Sequence, residues 1–267
     1  MHENILVCGN GPSCKEIDFT RVPQNAKVMR VTQFYFEELY YAGKHVDYYV
    51  DYANKIDESY FTARTLHSKK EYEFDLENMW YTVLREKNPH FPTVRCCTEF
   101  IQKSPLIAEF RCFYEYYYGK YLPTGMQAFA LAVCLGFKNV YVTGFDFFAD
   151  KDNMHAYPDG KAAVDTIVNR KRESAYDTGI TSNTKDGIFE YIHKTHPTSM
   201  QIDFICLLKK LYPETKIMSV NDSGVINEHI PLAPKLMDSP WYSPEPKPTD
   251  RVTDLFPLPD EMPAKRK

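Results

Sequence analysis

The sequence predicts an α/β protein built on a single Rossmann-like, doubly wound, mostly parallel sheet. Three observations predict it. Short apolar runs of four or five residues recur along the chain, each stopped by a turn signal. Segments with helical spacing alternate with these runs over short connections, the pattern of a parallel sheet covered on both faces. Finally, 267 residues with 43% hydrophobic and 25% charged side chains can bury one full core, which excludes wholesale disorder.

The elements follow in order. Ile5-Leu6-Val7-Cys8 is continuously apolar, as expected of a strand buried on both faces, and Gly9-Asn10-Gly11-Pro12-Ser13 stops it in a tight turn with Ser13 as a helix N-cap. Residues 28–31 predict a second strand. Residues 33–41 carry Phe34, Glu37 and Glu38 at helical spacing, with Gly43 beyond them as a C-terminal cap, and predict a helix. A third strand is expected over 46–50, a helix over 54–70, and strands over 79–84 and 93–97. The clearest helix is 124–135: Thr124 caps it, Met126, Phe129, Ala130 and Val133 form its apolar side, and Gly136 closes it. A strand over 140–143 follows at once and ends in Gly144-Phe145-Asp146. A helix over 200–211 then leads into a last strand at 216–220.

Composition sets the domain limits. Half of the 18 prolines fall between Pro231 and Pro263, a density that helix and sheet interiors do not tolerate. One domain is therefore expected over residues 1–236, followed by a proline-rich extended tail over 237–267 that closes on Lys265-Arg266-Lys267. Those three cations read as solubility or as a weak membrane-surface or partner contact. Residues 149–195 are polar and poorly periodic, too long for an ordinary connection, and read as a lid over a site.

The function classes narrow in the same way. A net charge of -4 lacks the electrostatic footprint of a nucleic-acid binder. No run approaches the ~20 apolar residues of a membrane span, and the first residues lack the order of a secretory signal. Seven cysteines, including Cys96-Cys97, show no zinc spacing and read as reduced cytosolic thiols. The aromatic fraction of 15%, with 20 Tyr, is compatible with contacts in a homo-oligomer.

Ligands of such sheets bind beyond the carboxyl ends of the strands, near the point where strand order reverses. Three features are expected to converge there: the 9–13 turn, Thr124-Gly125 and residues 144–146. The first would offer backbone N–H groups to a phosphate, or is simply a tight turn. It is not a dinucleotide fingerprint, because Cys14 takes the place of the third glycine. The second strand also ends in Arg30-Val31-Thr32, with no carboxylate for a ribose diol, which counts against nicotinamide enzymes and S-adenosylmethionine methyltransferases. Asp146 reads as an acceptor for a ribose hydroxyl or base amine, or as the cap of a local turn. Asp150-Lys151-Asp152 matches the Asp-x-Asp metal pattern of many sugar transferases, or is solvated surface. His196, in His193-Lys194-Thr195-His196-Pro197, can take a proton from an acceptor hydroxyl near its usual pKa of ~6.5. No carboxylate or Cys cluster accompanies the two histidines as a metal site.

These residues resemble a known family. ILVCGNGPSCKEI at 5–17, RVTQFYFEELYYAG at 30–43 and TGMQAFALAVCLGFKNVYVTGFDFF at 124–148, with His196 and NDSGVINEHIPLAP at 221–234 in the same order, resemble the bacterial sialyltransferases of glycosyltransferase family 42. The resemblance implies a GT-A-like variant of the fold and a cytoplasmic, inverting, metal-independent transfer of sialic acid from CMP-sialic acid to a bacterial surface glycan such as lipooligosaccharide or capsule. It implies no cofactor, the CMP-sugar being a co-substrate. By position, Asn10, Gly11 and Ser13 would face the donor's phosphate and ribose, Gln33 would lie near the donor sugar, and Thr124, Gly125, Gly144, Phe145 and Asp146 would hold cytidine. His196 would be the general base.

Some positions depart from the family's pattern. Thr32 stands in place of an Asn beside the donor sugar, and Tyr52, beside Asp51, in place of a second Asn. Tyr121 stands in place of an Arg. Phe148 and Met154 replace two tyrosines that bind the leaving phosphate, with Tyr157 close enough to substitute for the second. Losing such donors corresponds to about 3 kcal/mol each unless Tyr157, Tyr176 or a lid lysine takes over. Thr32 and Tyr52 leave room for another CMP-activated acid sugar such as Kdo. Phe148 leaves room for a non-catalytic nucleotide-binding protein on the same fold.

Overall fold

The computed structural model describes residues 3–52, 56–82, 94–152, 154, 156 and 185–247. Its centre is a seven-stranded sheet in which every pairing is parallel. In chain order the strands are β1 (Asn4–Cys8), β2 (Lys27–Val31), β4 (Tyr48–Asp51), β6 (Met79–Tyr81), β7 (Arg95–Cys96), β8 (Asn139–Thr143) and β9 (Lys216–Ser219), while β3 (His45–Val46) and β5 (Glu73–Phe74) pair separately. Across the sheet the order is β7-β6-β4-β2-β1-β8-β9, so the chain builds outward one way from β1 and then reverses between β1 and β8.

The continuous apolar runs are explained by burial on both faces. Ile5 and Val7 of β1, with Val140 and Val142 of β8, enter the core under α4 (Thr124–Cys134) and α6 (Thr198–Leu211). Leu6, Cys8 and Tyr141 enter a second cluster on the opposite face with Phe19, Val22 and Ala233. Beneath β4 and β6, α1 (Ile56–Ser68) closes a third cluster in which Phe34 and Tyr72 meet edge to face with ring centroids 5.2 Å apart. Among the described residues no helix is long and apolar enough to cross a membrane, and all seven cysteines are free thiols.

Several expected elements take a different form. Residues 33–41 are not a helix but one 3-10 turn, Phe34–Phe36, left at Glu37 with ψ 145°. Two tertiary contacts override the local spacing. Arg30 draws the Glu37 carboxylate into the core, and Tyr40 and Glu38 hydrogen-bond by their backbones to Glu245 and Lys247. The expected strand at 46–50 is split at Asp47, whose carboxylate accepts from the Val28 N–H at 2.8 Å and the Lys27 ammonium at 2.7 Å. Residues 93–97 shorten to β7, and Cys97 already opens α2 (Cys97–Ile101). Neither Ser13 nor Thr124 is an N-cap. Gly11 holds that position before the 3-10 turn Pro12–Glu16, and Pro123 holds it before α4. The aromatic-rich stretch before α4 forms α3 (Pro105–Cys112), which runs on as a π-turn, Phe113–Tyr117; no regular apolar spacing announced either.

The proline-rich segment as far as Lys247 runs over the domain surface. Trp241 donates from Nε1 to the Val22 carbonyl at 2.7 Å and sits edge to face with Phe19. The Lys247 ammonium lies 5.1 and 4.9 Å from the ring centres of Tyr40 and Tyr72. Residues 248–267, with the terminal Lys265-Arg266-Lys267, lie outside the described residues.

Candidate active site

The reversal of strand order places the turn after β1 beside the turn after β8. Gly9 donates to the Thr143 carbonyl at 2.8 Å and Gly11 to the Gly144 carbonyl at 2.9 Å. The two backbones are so close that a Cβ on Gly9 would overlap the Gly144 carbonyl oxygen. Gly144 also has φ 72°, where an L side chain is strained. Two of the three expected features are thereby joined through glycine.

Ser13 and Asp146 lock the junction. Asp146 Oδ2 accepts from the Ser13 N–H at 3.0 Å and the Ser13 hydroxyl at 2.9 Å, while the Ser13 Oγ accepts from the Gly144 N–H at 3.0 Å. Burial pushes the Asp146 carboxyl above its ordinary range, against the two Ser13 hydrogen bonds that act to lower it. The Asp146 carboxylate thus caps no local turn; it clamps the distant turn after β1 through Oδ2. The turn is also less of an anion cradle than its glycines suggest, because the Gly11, Ser13 and Cys14 amides all donate within the protein. Asn221, which follows β9 at the next residue but one, completes the lock by donating to the Ser13 carbonyl at 2.6 Å. Sequence reasoning missed Asn221, whose only signal was its place at the head of the last motif block.

At the end of β2, the Asn10 amide donates to the Val31 carbonyl at 3.1 Å and the Thr32 hydroxyl at 2.6 Å. Asn10 therefore ties the first two strand ends together. Gln33, buried, follows Thr32 at the head of the 3-10 turn. Thr32 has φ 45°, and a β-branched residue there is an outlier costing about 1–2 kcal/mol. Asn tolerates that conformation and keeps an oxygen for Asn10. Thr32→Asn is thus expected to raise stability by about 1 kcal/mol in urea unfolding; a fall would show that the Thr32 hydroxyl bond outweighs the relieved strain.

The third feature joins through Phe145. A Cβ on Gly125 would lie 3.4 Å from the Phe145 ring, and Phe145 packs on Phe129 of α4 with centroids 5.9 Å apart. The first intrahelical bond of α4 is Gln127 N–H to Pro123 at 3.1 Å, so the Thr124, Gly125 and Met126 amides have no intrahelical acceptor. Free N–H groups at a helix N-terminus suit an anion, which the amides of the 9–13 turn, already bonded within the protein, do not.

His196 occupies the bend between α5 (Lys185–Thr195) and α6. Its Nδ1 is hydrogen-bonded to the Tyr121 carbonyl, three residues before Thr124. A carbonyl only accepts, so Nδ1 carries the proton and Nε2 keeps its lone pair. Burial holds the imidazole below its ordinary pKa, against the Tyr121 bond that acts to raise it. The bend is fixed further by the Tyr121 N–H on the Thr195 carbonyl at 2.8 Å and by Gln201 Nε2 on the His196 carbonyl at 2.9 Å. A neutral imidazole with a defined basic nitrogen is thus held against the segment that leads into α4.

The family-divergent positions are equally clear. Met154 is buried and brings no hydroxyl, Tyr52 is exposed beside the fully buried Asp51, and Tyr121 contributes its backbone to His196. Asp150 accepts from the Asp152 N–H at 2.8 Å in an exposed loop. Among the described residues no three His, Cys, Asp or Glu gather as metal ligands. Tyr157, Tyr176 and residues 157–184 of the expected lid lie outside the described residues.

Comparison with known proteins agrees with this fold. Residues 3–266 match the family described as alpha-2,3-sialyltransferase (CST-I). The fold resembles that of the monofunctional alpha-2,3-sialyltransferase Cst-I from Campylobacter jejuni, with 25% identity and a TM-score of 0.77 over 98% of this chain and 90% of that one. It also resembles CstII from Campylobacter jejuni in complex with cytidine-5'-monophosphate, with 23% identity and a TM-score of 0.71 over 95% and 97%. CstII in complex with a trisaccharide acceptor and CMP gives 23% identity and a TM-score of 0.69 over 94% and 98%. At their lower identity the two CstII structures show the shared fold. No curated protein matches the chain.

Proposed function

The chain belongs to the alpha-2,3-sialyltransferase (CST-I) family of glycosyltransferases, and from that premise we propose that it moves sialic acid from CMP-sialic acid to a hydroxyl of a bacterial surface glycan, lipooligosaccharide or capsule, with inversion and without a metal. The observation that carries this reading is His196, whose Nδ1 donates to the Tyr121 carbonyl and whose Nε2 is left basic beside the start of α4. CMP and a trisaccharide acceptor bound to the structurally similar CstII support the donor and acceptor classes.

The chemistry asks little else of the protein. The acceptor oxygen attacks the anomeric carbon from the face opposite CMP, the bond from that carbon to the phosphate oxygen breaks, and the acceptor's proton passes to His196 Nε2. The developing sugar cation is stabilised by the donor's own carboxylate. The α4 amides and the residues after β8 hold the nucleotide, and juxtaposing the two substrates supplies much of the acceleration. Incubation with CMP-sialic acid and a galactose-terminated acceptor should release CMP faster than buffer alone; no excess release sinks the proposal. The strained Thr32 at the β2 end favours testing CMP-Kdo in the same assay, since faster turnover of that donor would reassign the sugar while keeping the reaction.

A further inference from the structure

The turn that follows β8 has an unusual composition. The Ala149 N–H closes it on the Asp146 carbonyl at 3.0 Å, and its two central residues, Phe147 and Phe148, have φ 52° and 54°. Turns with two left-handed central residues are dominated by Asn-Gly and Gly-Gly. Two phenylalanines hold that form only where surrounding contacts over-determine it. One such contact is the clamp of Asp146 on Ser13. Another is Phe147 itself, 4% exposed and packed in the core beneath α4.

A third comes from α5. His193 Nε2 lies 2.9 Å from the Phe148 carbonyl oxygen. The carbonyl accepts, so Nε2 donates. The ring is set in place by Phe189, with centroids 4.3 Å apart. His193 stands one helical turn before His196, so the end of α5 holds two carbonyls at once: Phe148 beyond β8 through His193, and Tyr121 ahead of α4 through His196.

From this geometry we infer that His193 is a positioning residue. It holds the Phe147–Phe148 turn in its left-handed form and ties that form to the docked end of α5, which carries His196. The donor-side consequence rests on the reading given under Proposed function: with the turn in place, the residues after β8 meet the nucleotide pre-formed, and with the tie cut the donor must order them itself.

The test uses the full chain with His193→Leu, which removes the donor, and His193→Gln, whose amide nitrogen reaches about as far as Nε2. Hydrogen exchange of the Ala149 amide, read without any ligand, should be at least tenfold faster in the leucine variant and return to within threefold of wild type in the glutamine variant. His193→Asn, whose amide stops short of the Phe148 carbonyl, gives the same reading should the leucine variant not fold. With CMP added, Kd should rise about tenfold in His193→Leu and recover in His193→Gln, with KM for the donor rising more than kcat falls. Equal Ala149 exchange in all variants, or no recovery with glutamine, overturns the assignment. A wild-type chain that protects Ala149 yet does not bind CMP overturns the reading of the pocket instead.

Discussion

Replacing His196 with alanine lowers kcat by about 10²–10⁴-fold, the usual worth of general-base help, and leaves CMP binding intact. On the proposed reading the nucleotide is held by the α4 amides and the residues after β8, whereas the hydrogen bond of the imidazole goes to the Tyr121 carbonyl, outside both groups. The pH profile carries the sharper signature. A base works only when neutral, and burial holds the His196 imidazole below its ordinary value. The neutral form therefore persists to lower pH than for an unshifted histidine. The wild-type rate should stay level as pH falls through about 6.5, decline only below it, and lose that acid limb altogether in His196→Ala. Initial rates of CMP release between about pH 5 and 8 decide the matter. A variant that keeps both most of its rate and the acid limb would place the base elsewhere.

Loss of Arg30 is expected to be the most damaging single change to stability. Arg30 and Glu37 are each 2% exposed, and the guanidinium lies 4.4 Å from the Phe34 ring centre while pairing with the Glu37 carboxylate. Arg30→Met leaves that carboxylate buried without its cation, which costs about 3–5 kcal/mol. The double change Arg30→Met/Glu37→Leu removes both charges and should recover most of the loss, since well-packed apolar pairs often match buried ion pairs. Urea unfolding of the two singles and the double measures the coupling directly. Additive losses would show that the pair contributes packing rather than charge. Because Cys14, next after the 9–13 turn, lies 3.9 Å from the same Glu37 oxygen, the single variant should also loosen the turn after β1.

Legibility in the sequence tracked the range of the interactions. β1 and β8 were visible because burial on both faces writes an unbroken apolar run, and the turns after them because close approach demands glycine at Gly9 and Gly144. His196 was visible as a candidate through its motif, and the structure added its tautomer. What stayed hidden depends on residues far away in the chain. Ser13 looked like a helix cap because its carboxylate acceptor, Asp146, is 133 positions distant. Residues 33–41 looked helical because nothing local discloses that Glu37 is drawn to Arg30, or that the backbone at 38–40 bonds to 245–247. Pro123 displaced Thr124 from the cap by one position, a shift that helical periodicity does not resolve. The left-handed Phe147–Phe148 turn contradicts every local preference of its residues, and only contacts from α5 and the core make it intelligible.

The placement of β1 also governs how the protein comes into being. β1 is synthesised before the other strands of its sheet yet lies inside it, with β2 on one side and β8 on the other. While residues 32–138 are being made, its second edge has no strand to pair with. Such long-range closure is slow and leaves apolar edges open to mispairing. The turn after β1 waits as long, because the atoms that clamp it belong to Gly144 and Asp146. The clamped junction at the end of β1 is thus absent early in synthesis; it forms only once β8, and after it Asn221, has reached the earliest strand of this sheet.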